Sequence, residues 1–148
     1  MTNVFVDSNV VIYSIDRSSP IKRERARAWL SSLSASSALT MSVQVPNEVY
    51  SVLTLKMGLS PVVARDALTR LAMWVTAPLD FEIVQRGWGL QDRFGLRIWD
   101  ALLLASANVA GCSYFLSEDL NDGQRYGAVT AINPFRHAPQ DVLGPALP

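Results

Sequence analysis

Val4-Phe5-Val6-Asp7-Ser8-Asn9-Val10-Val11-Ile12-Tyr13 opens the chain with a change of period. Three strand-forming residues are stopped by three short polar ones, and a brief helical stretch follows around 10–15. The same alternation continues downstream. Ser19-Pro20 supplies an N-cap and a first-turn proline for a helix near 20–34. Leu39–Val43 reads as a second strand, and Pro46 suits the first turn of a helix ending at Gly58. Ser60-Pro61 starts another helix, to about Met73, and Trp74–Ala77 is a weak strand candidate. Asp80 caps a helix over 81–94 that Gly95 closes, and a further helix runs from Trp99 to Ala110. Tyr114–Leu116 and Val129–Ile132 complete the strands. Strands separated by helices pair in parallel through right-handed crossovers, so the expected fold is α/β: a three-layer α/β/α sandwich with a central parallel sheet.

The chain has 148 residues, 13 Lys+Arg against 13 Asp+Glu, one His and one Cys. That length fits one domain, expected over residues 1–135, with a Pro-rich C-terminal tail over 136–148. Cys112 alone forms no internal disulfide, which points to a reducing compartment, and the N-terminus reads as carrying no signal peptide. No apolar run is long enough to span a membrane. A cytoplasmic location follows as an expectation.

Ligands of open parallel sheets bind outside the carboxyl ends of the strands. Asp7 ends the first strand, and Asp119 and Asp122 follow the strand Tyr114–Leu116. Glu48 and Asp100 stand in the first turns of helices. Asp100 lies within the apolar segment Ile98–Ala107, and Asp7 interrupts Val4–Val11, where lone carboxylates are costly to bury. Convergence on a cation explains them. Hard oxygen ligands without thiolate favour Mg²⁺, with Mn²⁺ as an alternative. Such a site suits phosphodiester hydrolysis. Taken singly, each acid has an ordinary explanation. Helix dipoles favour Glu48 and Asp100, Asp122-Gly123 is a turn dipeptide, and Asp7 can form an Asx-turn. Glu118 and Asp92 are expected in solvent.

The segment Phe5–Tyr13 resembles the opening strand and helix of PIN-domain nucleases. Glu48 after Val45-Pro46-Asn47, then Trp99-Asp100-Ala101-Leu102-Leu103-Leu104-Ala105-Ser106-Ala107, and then Leu116-Ser117-Glu118-Asp119-Leu120-Asn121-Asp122-Gly123, follow in the family's order. The spacing is similar to that of the VapC ribonuclease toxins of type II toxin–antitoxin systems. The resemblance implies a metal site of Asp7, Glu48, Asp100 and Asp119, with Asp122 as an accessory acid. It also implies Mg²⁺- or Mn²⁺-dependent cleavage of RNA, a homodimer, and a cognate antitoxin that blocks the groove. Ser8 stands where many relatives have Thr, which keeps the hydroxyl.

Eleven of the 13 basic residues are Arg. Arg93 and Arg97, just before Asp100, are the expected RNA contacts, together with Asn9 and Ser117. Lys22, Arg23, Arg25 and Arg27 form either a second basic rim or a solvated helix face. Trp29, Leu30 and Leu33, with Val49, Val52 and Leu53, are either an antitoxin groove or core. Trp74, Trp88 and Trp99 read as core or dimer interface, His137 as a surface residue, and Cys112 as structural. Five acids assigned to one pocket leave eight against 13 bases, so zero net charge is compatible with an RNA partner. Two rivals stay open. One is a small-substrate phosphohydrolase with Asp7 as nucleophile, although Asn9 occupies the place where such chemistry wants a second acid. The other is a non-catalytic RNA- or protein-binding module on the same fold.

Overall fold

The computed structural model describes residues 2–144; the expected tail's last residues, 145–148, lie outside that range. Strands β1 (Val4–Val6), β2 (Leu39–Thr40), β3 (Tyr114–Leu116), β4 (Arg125–Tyr126) and β5 (Val129–Ile132) form one sheet in the order β2-β1-β3-β5-β4. All neighbours are parallel except β4 and β5. Helix α1 (Ser8–Tyr13) contacts both α2 (Pro20–Ala35) and α3 (Gln44–Leu55), α4 (Pro61–Thr69) contacts α3, and α5 (Phe81–Phe94) packs mainly on α6 (Ile98–Val109). The result is the expected α/β architecture.

Core packing follows from the strand pattern. β1 is buried along its whole length, and Phe5 stacks on its register partner Phe115 with ring centroids 5.2 Å apart. Trp29, Leu33, Val49 and Leu53 are fully buried, so their helical spacing reflects core and not an open groove. Cys112 is also buried, and desolvation pushes its thiol up to about 11, as suits a structural residue.

Several boundaries differ from the sequence expectation. The second strand stops at Thr40, because α3 already begins at Gln44, two residues before Pro46. Glu48 therefore stands in the second turn of α3 and gains nothing from first-turn capping. Trp74–Ala77 is not a strand. Ala72–Trp74 is a 3₁₀ turn, and only Val75 bridges to Met41. The antiparallel strand β4 was not expected, although its turn is encoded: Gly127 sits at φ 73° in the two-residue loop before β5. A Cβ there would approach Asn108 Oδ1 to 2.5 Å, and that oxygen accepts the Ala128 N–H.

The segment after residue 135 is tied to the domain. Trp29 Nε1 donates to the carbonyls of Pro134 (3.0 Å) and His137 (3.2 Å). A short helix α7 (Gln140–Leu143) follows, with Val142 and Leu143 against the core. Among the described residues no helix is long and apolar enough to cross a membrane.

Candidate active site

β1 sends its connection to β2 on one side, while β3 lies on the other, so strand order reverses between β1 and β3. Crevices form at such a point. The register Val6↔Leu116 brings the next residues, Asp7 and Ser117, side by side, and the Asp7 N–H donates to the Leu116 carbonyl at 3.0 Å.

Asp7 is buried, and no basic side chain pairs with it among the described residues. Its carboxylate accepts from the Ser8 N–H, the Ser117 hydroxyl (2.7 Å) and Asn9 Nδ2 (3.3 Å). Burial nevertheless pushes its pKa up to about 7, with the charges of Asp100 and Asp119 adding and the Ser117 and Ser8 hydrogen bonds opposing. Asp100, in the first turn of α6, is raised as well. Desolvation is the main cause, Arg97 opposes it and Asp119 adds to it. Three carboxyls on separate elements thus sit close enough to repel one another.

Asn9 links two of them. Its single amide nitrogen lies 3.1 Å from Asp119 Oδ2, 3.2 Å from Ser117 Oγ and 3.3 Å from Asp7 Oδ2. Ser117 Oγ donates to Asp7 and accepts from the Asp119 N–H at 3.1 Å. Asn9 and Ser117, expected as RNA contacts, hold acids in position here. Glu48 joins through Ser8, whose hydroxyl donates to Oε1 at 3.0 Å. Gln44 Nε2 donates to the same oxygen (3.2 Å) and to the Trp99 carbonyl (3.0 Å), tying α3 to the start of α6. Sequence reasoning missed Gln44, although its place four residues before Glu48 on one helix face is the signal for such a pair.

Removing the Ser117 donor is expected to raise the Asp7 pKa further. In metal-free Ser117→Ala the Asp7 carboxyl should titrate above its wild-type midpoint, read from the pH dependence of its ¹³C carboxyl NMR signal. An unchanged midpoint would contradict this role.

Asp122 is not part of the group. It accepts from the Asn133 N–H at 2.8 Å and pairs with His137 Nε2 at 2.7 Å. These contacts outweigh burial and hold its carboxyl below the usual range. His137, expected as a surface residue, fastens the C-terminal segment to the loop after β3. Glu118 is likewise not simply solvated. Lys22 Nζ donates to it while lying 4.8 Å from the Tyr13 ring centroid and 5.0 Å from that of Phe135. Arg27 Nε donates to the Ser14 carbonyl at 2.8 Å, so the basic α2 residues are partly engaged in the fold. Arg97 is exposed at the N-cap of α6, and its charge acts on Asp100. Arg93 is exposed too, with its guanidinium 5.0 Å from the Phe94 ring centroid.

Among the described residues no three His, Cys, Asp or Glu side chains close around a point as a ready-made metal cage. The donor set nonetheless fits a hard cation. It consists of carboxylate oxygens without thiolate or imidazole, and its buried Asp7 lacks a positive partner. Mg²⁺ keeps several waters and binds proteins through one or two carboxylates, so an open, loosely gathered set suits it.

Fold and site together define an α/β domain with an acidic crevice at the switch point of a mostly parallel sheet. The sequence matches the PIN domain family over residues 4–125, and the chain belongs to that family. PIN domains are generally nucleases and typically use divalent metals. No curated protein matches the chain.

Proposed function

We propose that this protein is a divalent-metal-dependent endoribonuclease acting as the toxin of a toxin–antitoxin pair, with Mg²⁺ or Mn²⁺ at the acid site. The observation that carries the nuclease reading is the juxtaposition of buried Asp7 with Asp100 and Asp119 at the carboxyl edge of the sheet. Asp7 and Asp100 would hold the cation, with Glu48 and Asp119 completing the set. Asp122 is retained by its contacts for the C-terminal segment.

A bound cation would supply Lewis-acid polarisation of the phosphodiester and activation of water for its attack. The chain's own groups do the rest. Asn9 and Ser117 orient Asp7 and Asp119, Ser8 and Gln44 orient Glu48, and Arg97 offers a phosphate contact beside Asp100. RNA as substrate, an antitoxin as partner, a homodimer and a cytoplasmic location are supported by the ordered motifs similar to VapC toxins. Asn9, bonded between Asp7 and Asp119, provides no second carboxylic acid two residues after Asp7, which disfavours an aspartyl-phosphate route.

The test is cleavage of end-labelled single-stranded RNA by the purified chain with Mg²⁺ or Mn²⁺. Asp100→Asn should reduce the rate on the order of a hundred-fold or more. Induced expression should arrest growth, and coexpression of an antitoxin encoded beside the gene should relieve it. Full activity of Asp100→Asn would overturn the assigned site, and growth unaffected by an active enzyme would overturn the toxin role.

A further inference from the structure

We propose that the cleft beside the acid site is a base-binding subsite for single-stranded RNA. The proposal rests on the ribonuclease reading above and adds which part of the substrate the cleft receives. The cleft lies between α3, α4, α5 and α6 and has a volume of about 660 Å³, within the usual range for small-ligand sites of roughly 300–1,000 Å³.

Its chemistry suits a nucleobase attached to a phosphate. Trp99 lines it with 56% of its surface exposed, although a tryptophan normally buries much of its ring. Tyr50 lines it as well, and the Arg65 guanidinium lies 5.6 Å from the Tyr50 ring centroid. Indole, phenol and guanidinium planes are the surfaces on which unpaired bases stack. The Asn47 amide adds a donor and an acceptor for a base edge, and Gln44, whose two N–H groups are engaged by Glu48 and Trp99, adds only its carbonyl as an acceptor. None of the lining residues carries a carboxylate, and Arg65 is the one charged group among them. The lining is therefore complementary to an anionic, aromatic ligand, whereas the crevice next to it is acidic.

The two sites are physically continuous. Gln44 lines the cleft while its Nε2 donates to Glu48 Oε1 and to the Trp99 carbonyl, and Trp99 directly precedes Asp100. A base on Trp99 leads the adjoining backbone toward the acids. Stacking recognises every base, so the amide of Asn47 is the residue that sets preference among them.

The test uses the full chain, with each of the four nucleoside monophosphates and inorganic phosphate as probes. The tryptophan indole N–H signals are followed by ¹H–¹⁵N NMR, and the Trp99 signal is assigned from Trp99→Phe. The nucleotides should shift the Trp99 indole, and inorganic phosphate should not. On short single-stranded RNA, Trp99→Ala should raise KM on the order of ten-fold with kcat little changed, and Trp99→Phe should recover most of the loss. Asn47→Ala should change the relative rates on oligonucleotides of different base.

A silent Trp99 indole, with wild-type KM in Trp99→Ala on RNA that the protein still cleaves, overturns the subsite and leaves the ribonuclease reading standing. Nucleotide-induced shifts in a protein that cleaves no RNA uphold the subsite and overturn that reading. If Trp99→Ala instead converts a dimer to a monomer, or abolishes antitoxin binding, while the nucleotides leave the indole unmoved, the face belongs to a protein partner and the proposal fails.

Discussion

Asp7→Asn is expected to lower RNA cleavage on the order of a thousand-fold and, in the metal-free protein near pH 8, to raise its melting temperature. Both effects have one cause. The fold moves the Asp7 pKa from 3.8 to about 7, chiefly by desolvation. Below the lower value the carboxyl is protonated in both the folded and unfolded chain. Between the two values the folded state holds a proton that the unfolded chain releases, so stability falls as pH rises through this window. Above about 7 the full penalty is present, roughly 4 kcal/mol at most. Asparagine removes the charge but cannot accept all of the hydrogen bonds now made by Ser8, Ser117 and Asn9. A net gain of about 1–2 kcal/mol should remain, or about 3–8 °C for a chain of this length. The gain should shrink at pH 5, where folded Asp7 already carries its proton. Thermal unfolding at both pH values, beside a cleavage assay, checks the pair. A variant that is less stable at pH 8 than wild type would contradict the account of Asp7.

The second large effect concerns the cation. Excess EDTA is expected to abolish cleavage, and readdition of Mn²⁺ or Mg²⁺ to restore it. Binding should also raise the melting temperature, since a ligand of the folded state at a hundred times its Kd stabilises by about 2.7 kcal/mol. The pH dependence has a definite sign. Below about 7 a proton on Asp7 competes with the cation, so the metal-induced rise should be small near pH 5.5 and approach its full size above pH 8. Asp7→Asn should abolish most of that rise. A metal response that is equal at both pH values, or unaltered in Asp7→Asn, would place the cation elsewhere. The metal response and the apo stability move in opposite directions with pH, which separates them in one titration series.

Much of this arrangement is legible in short stretches. The run Val4-Phe5-Val6 followed by Asp7 defines a buried strand with an acid at its carboxyl end, and the structure keeps that boundary. Asp80 caps α5 by accepting from the Ile83 N–H at 3.0 Å, and Gly95 ends it at φ 66°. Tyr114–Leu116 and Val129–Ile132 are strands with the expected limits. Such features depend on residues within about four positions of one another, and the side-chain period records them. Trp74–Ala77 misleads for the converse reason, since apolar residues compatible with a strand meet the β2 end only through Val75 and Met41.

What sequence alone determined is therefore the alternation of strands and helices and the placing of Asp7, Asp100 and Asp119 near the ends of elements. The folded chain decided which acids act together. Asp122 and His137 are 15 positions apart and meet only because the C-terminal segment crosses Trp29. Lys22 reaches Glu118 across 96 positions, and Gln44 reaches Trp99 across 55. The raised pKa of Asp7 likewise belongs to no segment. It comes from excluding water and gathering like charges from three elements, and both arise through space when the sheet closes.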